Sequence, residues 1–409
     1  MKDFTTQILS TPYVKADAHR ALSEPIYSNA AFDFETAEQM ELAFQGKIGE
    51  HSYSRVSNPT VEHFEMRIRA ITGAPNVTAV GSGMAAIADT LLLLSYAGSN
   101  IVASRHLFGN TFSFLETTIK AFGVETRFCD TTNLQEVEAK IDDNTVAIFL
   151  ETVTNPQLEI ADLSALSVIA RKHKTPLIVD STLTPPTVFR ARQFGVDIEL
   201  ISSTKCISGG ATSIGGLIVD YGAFNWTHSP KLSALGRKFG PMAFQYKLRR
   251  EVFRNMGACM SPFSAYLQSL GLETLHLRFE RAVSNCHRIS AFLDTHPAVK
   301  AVSYPGMKSS PFHELGLRQF GDAPGAILTF ELASREACFA MLNRLQLIRR
   351  ATNIYDNRSL IIHPASTIFC DFDPEKRAAL HISDTLLRLS PGIESPDALI
   401  ADLEQALEE

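Results

Sequence analysis

The sequence predicts an α/β protein with a mostly parallel central sheet covered by helices, followed by a smaller C-terminal α+β domain. Three observations predict it. From Val61 onward, short β-prone runs alternate with helical stretches. The runs are almost continuously apolar, as in strands buried on both faces. After Gly216 the rhythm changes, and a long helical region leads into more widely spaced strands. A chain of 409 residues is long enough for about two to three domains.

Residues 1–60 lack sustained periodicity and are rich in Tyr, Pro, Asn and Ser, which predicts an extended arm that must lie on something else. Residues 61–255 form the expected large domain. Its strands are VTAV (77–80), NIVAS (100–104), VETRF (124–128), VAIFL (146–150), PLIVD (176–180) and IELIS (198–202). Helices are expected between them, including 84–94 after a small-residue turn and 163–172 behind the cap residue Asp162. Residues 256–409 form the expected small domain. A helical region over 242–293, broken at Pro262, bridges into it. Then come the strand-like runs AILTFEL (326–332), LIRRA (347–351), SLIIH (359–363) and LLRLS (386–390), with helices near 335–345 and 397–407.

Composition narrows the function. Hydrophobic residues make up 45% and charged residues 20%, close to the globular average, which excludes a disordered, collagenous or disulfide-scaffold chain. The charge sum of 38 − 44 = −6, without a dense Lys/Arg run, gives no support to a nucleic-acid or anionic-membrane partner, so a small molecule is expected instead. Six cysteines without a C-x-x-C pair read as reduced intracellular thiols. The start MKDFTTQILS has no apolar leader, and the most apolar stretch, 85–97, is shorter than the ~20 residues of a membrane span, so a cytoplasmic location is expected. The twelve histidines include no H-E-x-x-H, and no metal site is expected. Ser82 lacks the G-x-S-x-G setting of a hydrolase nucleophile.

Gly81, Gly83 and Ala86 spell G-x-G-x-x-A between a strand and a helix. No acid ends the next strand, at Ser104, where a nicotinamide ribose needs one. The turn is either a plain strand-to-helix connection or an anion cradle, in which small residues let backbone N–H groups and the helix dipole meet a phosphate. Asp180 ends an apolar strand at the carboxyl edge of the sheet, as a turn residue or as a buried functional acid. Lys205 follows another strand and enters SGGATSIGG, with no other charge between Glu199 and Asp220. A cradle, a buried acid and a strand-end lysine on one edge are the fixtures pyridoxal phosphate requires. Lys205 would bond the aldehyde as a desolvated amine, Asp180 would hold the ring nitrogen protonated, and Gly83, Met84, Ser202 and Thr204 would hold the phosphate. A non-catalytic module binding a phosphorylated metabolite or dinucleotide through the same turn is the other reading.

The motifs YSRVSNPT (53–60), GSGMAAI (81–87), ETVTNPQLEIAD (151–162), LIVDSTLTPP (177–186), SSTKCISGG (202–210), SLIIHPAST (359–367) and LLRLSPGIE (386–394) run nearly end to end. Together they resemble the Cys/Met-metabolism pyridoxal-phosphate enzymes, which include cystathionine γ-synthase, the γ-lyases and O-acetylhomoserine sulfhydrylase. The resemblance implies a fold type I, aminotransferase-like subunit with pyridoxal 5'-phosphate. It also implies a homotetramer of tight dimers whose active sites are shared between two chains. It assigns Lys205 as the lysine that bonds the cofactor and Asp180 as the partner of the ring nitrogen. Tyr53 and Arg55 become the pair that reaches the neighbouring cofactor's phosphate, a task suited to a permanently charged, forked guanidinium. Arg388 becomes the clamp on the substrate α-carboxylate, with Asn155 and Ser359 as helpers. Phe108 stands where most of the family has a ring-stacking tyrosine, so the stacking surface is kept and the phenol lost. Proton transfer at the leaving group then falls to Tyr53 or Lys205. Asn110 occupies a position where synthases usually have glycine and methionine γ-lyases often cysteine, and Phe369 lies close to where a histidine usually follows the PAST segment.

Within the family, 247–281 and 209–220 most resemble O-acetylhomoserine sulfhydrylases. The expected reaction is γ-replacement on an O-acylated homoserine by sulfide or a thiol, giving homocysteine or methionine. The alternative is γ-elimination, giving 2-oxobutanoate, ammonia and a thiol.

Overall fold

The structure, a computed structural model, describes residues 3–12 and 19–408. Seven strands form the larger sheet: β1 (Asn76–Val80), β2 (Asn100–Ser104), β3 (Glu125–Cys129), β4 (Thr145–Glu151), β5 (Leu177–Asp180), β6 (Ile198–Ile201) and β7 (Gly216–Asp220). Their spatial order is β1-β7-β6-β5-β4-β2-β3. Strands β2 to β6 run parallel where they pair, and β7 lies antiparallel between β1 and β6. The six sequence-expected strands are all present. Strand β7 is an addition: its run GLIVD is apolar enough, but it opens directly on Gly216 with no helical crossover before it, so an alternation of strand and helix does not reveal it.

Successive strand residues point to opposite faces, and the sheet divides the core accordingly. Val77, Val102, Ile148, Val179 and Val219 pack on one face, and Ile101, Phe149, Ile178, Leu200 and Ile218 on the other. Each fully buried aliphatic side chain of this kind contributes about 1.5–3 kcal/mol, which is why both faces must be covered. Helix Gly83–Leu94 covers one face through Ile87, Leu91 and Leu94. Helix Leu163–Lys172 covers the other through Leu163, Leu166 and Ala170, and Asp162 caps it by accepting the Ala165 N–H at 3.0 Å.

The second sheet comprises β8 (Ala301–Ser303), β9 (Leu328–Glu331), β10 (Arg349–Arg350), β11 (Leu360–Ile362) and β12 (Leu386–Ser390), in the order β10-β11-β12-β9-β8. Only β10 and β11 pair parallel. Strand β8, exposed on alternate residues and three residues long, falls below what apolar patterning detects. The helical bridge resolves into several pieces, the longest being Pro262–Glu273 and Leu275–Asp294.

The described residues among the first sixty include two helices beyond the extended arm that the sequence suggests. Helix Phe4–Ser10 buries Phe4 and Ile8 against helices Pro59–Thr72 and Pro262–Glu273. Helix Ala37–Gln45 starts at the cap Thr36 and ends at Gly46, whose φ of +71° is the left-handed stop that glycine supplies. Both helices are short and capped by polar side chains, features weaker in the sequence than the Pro and Asn around them. No helix among the described residues is long and apolar enough to cross a membrane.

Candidate active site

The carboxyl ends of β4, β5 and β6 open into a cavity of about 280 Å³. Parallel strands deliver their last side chains to one edge, where ligands bind in open α/β sheets. Gly83, Met84, Phe108, Asn155, Asp180, Ser202, Thr204, Lys205 and Arg388 all line it. Nine of the twelve sequence-expected site residues are therefore brought together.

Helix Gly83–Leu94 begins at the cavity wall. Ser82 caps it by accepting the Ala85 N–H at 3.0 Å, and the other N–H groups of a first helical turn have no partner within the helix. Glycine is required here by close approach: a Cβ on Gly83 would come 2.7 Å from Ser202 Cβ, and one on Gly216 would come 2.1 Å from the Ser82 carbonyl oxygen. On the facing wall, Thr204 Oγ donates to the Gly215 carbonyl and accepts the Gly215 N–H. The Ser202 N–H donates to Thr182 Oγ1 at 2.8 Å. This wall and the helix start make an anion cradle of the right chemistry for a phosphate.

Lys205 Nζ donates to Asn353 Oδ1 at 2.8 Å. Burial, and after it the nearby Arg388 charge, together lower its pKa from 10.5 to about 8. Lys205 has no carboxylate partner among the described residues. An amine in that state is a nucleophile near neutral pH.

Asp180 and Glu151 are register partners on adjacent parallel strands, so their side chains emerge side by side. Burial raises the pKa of both, and the Asp180 charge raises Glu151 further. Thr182 donates to Asp180 Oδ1 through its N–H at 2.9 Å and its hydroxyl at 2.6 Å, which favours the ionised form there. Glu151 Oε1 accepts the Phe108 N–H at 2.6 Å, while its Oε2 is buried with no hydrogen-bond partner. Glu151 takes the proton first and Asp180 keeps the negative charge.

Arg388 sits mid-strand in β12 and is buried. Nη1 donates to Asn155 Oδ1 at 3.2 Å and Nη2 to the Thr352 carbonyl at 3.1 Å, while Nε has no partner. Among the described residues its hydrogen-bond acceptors are all neutral oxygens, and burial lowers its pKa to about 10. A desolvated guanidinium without a counterion is a site for an incoming carboxylate.

The other three expected residues lie elsewhere. Ser359 is buried away from the cavity: its hydroxyl donates to Glu394 Oε2 at 2.9 Å and accepts the Gly392 N–H. Thr352 and Ile354 line the cavity wall with Arg388. Tyr53, 45% exposed, and Arg55 lie together on the surface, with the guanidinium 5.3 Å from the ring centroid and Arg55 Nη1 donating to the Arg254 carbonyl. Neither lines the cavity of its own chain. Sequence reasoning missed Glu151, Thr182 and Asn353. The first two were accessible to the strand-end logic that found Asp180, while Asn353 lies in a loop without periodicity.

The fold and this edge define a pyridoxal-phosphate enzyme. The chain belongs to the Cys/Met metabolism PLP-dependent enzyme family, whose model matches residues 5–408. It is similar to the O-acetylhomoserine sulfhydrylase of the methionine biosynthetic pathway of Wolinella succinogenes, with 47% identity, TM-score 0.79, and coverage of 87% of this chain and 99% of that one. It is also similar to a putative O-acetylhomoserine (thiol)-lyase of Campylobacter jejuni solved with N'-pyridoxyl-lysine-5'-monophosphate, at 34% identity and TM-score 0.93, over all of both chains. The L-methionine gamma-lyase of Pseudomonas putida is 36% identical over 99% of this chain and 97% of its own.

The residues fit the family's cofactor, pyridoxal phosphate. The cradle of Gly83, Met84, Ser202 and Thr204 suits its phosphate; the Lys205 amine, which has no carboxylate partner among the described residues, suits its aldehyde; and the ionised Asp180 suits its ring nitrogen.

Proposed function

We propose that the protein catalyses γ-replacement on an O-acylated homoserine, with O-acetylhomoserine and sulfide or a thiol giving homocysteine or methionine. The observation that carries this reading is the counterion-free Arg388 facing the Lys205 amine across one cavity, since an amino acid needs a carboxylate clamp and a proton carrier at its two ends. The likeness to O-acetylhomoserine sulfhydrylases supports the choice of substrate.

Bound pyridoxal phosphate supplies the electron sink that makes protons next to the amino carbon removable. Arg388, oriented by Asn155, binds the substrate carboxylate and fixes the amino acid's direction in the cavity. Lys205 carries protons between the α and β carbons, since an amine with pKa about 8 accepts and returns a proton near neutral pH. Ile87, Leu183, Ile214 and Ile354 line the cavity with hydrocarbon. The Glu151 carboxyl accepts the Phe108 N–H and so positions the Phe108 residue that lines the cavity. A second copy of this chain contributes Tyr53 and Arg55, which do not line the cavity of their own chain, and the active assembly is a homotetramer built of such pairs.

γ-Elimination is the second reading, favoured by the 36% identity to a methionine γ-lyase over nearly the whole of both chains. Purified enzyme given O-acetylhomoserine and sulfide should form homocysteine faster than it forms 2-oxobutanoate from methionine alone. The reverse order of rates defeats γ-replacement.

A further inference from the structure

Outside the cavity, three segments distant in sequence bring His106, Glu159 and His381 together. His106 follows β2, Glu159 lies in the loop after β4, and His381 precedes β12. One ligand atom from each lies within 4.8 Å of the other two. His106 Nδ1 is 2.6 Å from Glu159 Oε2, and the two imidazole rings are 5.0 Å apart between centroids. His106 is buried, and its Nε2 has no hydrogen-bond partner. His381 has φ +57°, a left-handed conformation that non-glycine residues adopt at a cost and that clusters at functional positions. The surrounding backbone is already tied: the His106 N–H donates to Ser104 Oγ, the Glu159 N–H to Thr154 Oγ1, and Gln157 Nε2 to the Leu380 carbonyl.

We propose that His106, Glu159 and His381 form a binding site for a divalent transition metal of the zinc class, with water in the fourth position. Two imidazoles and a carboxylate are a nitrogen-rich donor set that suits zinc, whereas magnesium and calcium prefer oxygen ligands. Bonds of about 2.0–2.1 Å in a tetrahedral site separate ligand atoms by about 3.3 Å. His106 and Glu159 need to open by roughly 0.7 Å from their present contact. The metal takes the position of the proton between Nδ1 and Oε2, that proton leaves to solvent, and no redox change occurs. The metal does not reach the substrate. It cross-links the segments that carry Phe108, Asn155 and Arg388, so its effect is on the positioning of the substrate's carboxylate end. The sequence hides the site because its ligands follow no local spacing.

The test uses full-length holoenzyme with Cys370→Ser, since Cys370 is an exposed thiol that would take up zinc on its own. After treatment with a chelator, zinc chloride and magnesium chloride are titrated separately by calorimetry. One zinc per chain should bind with Kd below about 10 μM, and magnesium should not compete. His381→Ala, at an exposed position, and Glu159→Gln should each weaken zinc binding at least about tenfold while the circular dichroism spectrum is unchanged. X-ray absorption at the zinc edge should report nitrogen and oxygen ligands including two imidazoles. Absence of uptake at about 100 μM zinc, or uptake unaltered by both substitutions, overturns the proposal.

Discussion

The carboxyl edge of the large sheet and the surface segment Tyr53–Arg55 serve one cofactor in the resemblance, yet they are built in opposite ways. At the sheet edge, Lys205, Asp180 and Glu151, together with Arg388 facing them from β12, are desolvated, and each has a shifted pKa with a nameable cause. At the surface segment, Arg55 meets a backbone carbonyl and the Tyr53 ring, and Tyr53 is exposed. Burial turns the Lys205 amine into a nucleophile and Arg388 into an anion clamp, while the two Thr182 hydrogen bonds hold the charge on Asp180 against the same burial. A segment that stays in water on its own chain acquires such a role only by being covered, which is the physical content of the proposed shared site.

Substitution at the sheet edge should have the largest effect. Lys205→Ala should lower turnover by about 10⁴-fold and abolish the visible absorbance of the purified protein, with the fold intact by circular dichroism. The surface segment gives the next test. Arg55→Ala and Lys205→Ala proteins, each nearly inactive, should regain roughly a quarter of full activity when unfolded and refolded together, because mixed pairs then hold one intact site. No regain would mean that each chain is self-sufficient and would remove the contrast drawn above. Arg388→Gln should raise the KM for the amino acid about ten- to a hundredfold, with Arg388→Lys in between, measured by steady-state kinetics. The smallest effect is in pH. The Lys205 amine is depressed from 10.5 to about 8, so it is charged below that value and neutral above it. Rebinding of pyridoxal phosphate to cofactor-free protein, followed by absorbance, should slow about tenfold per pH unit below 8 and level off above it. Removing the Arg388 charge should move that break to higher pH.

Legibility followed the same division. Asp180 and Lys205 were readable because each ends an apolar run, where a charge is conspicuous, and Gly83 because the turn between strand and helix admits no Cβ. Glu151 ends β4 in the same manner as Asp180 ends β5 and was legible by that rule. Asn353 and Ser359 show where pattern fails. Both lie in irregular chain between β10 and β11, and only the three-dimensional path decides that Asn353 faces Lys205 while Ser359 serves Glu394. Strand β7 escaped because its antiparallel entry lacks a crossover helix, and β8 because it is too short and too exposed to carry a pattern.

The central claim is that the Lys205 amine is the covalent anchor of the cofactor at this edge. Reduction of the yellow holoenzyme with borohydride, followed by proteolysis and peptide mass mapping, tests it most directly. The account predicts a pyridoxyl group on the peptide carrying Lys205 and on no other lysine. A label on a different lysine, or an unmodified Lys205 peptide from fully reduced holoenzyme, would contradict it.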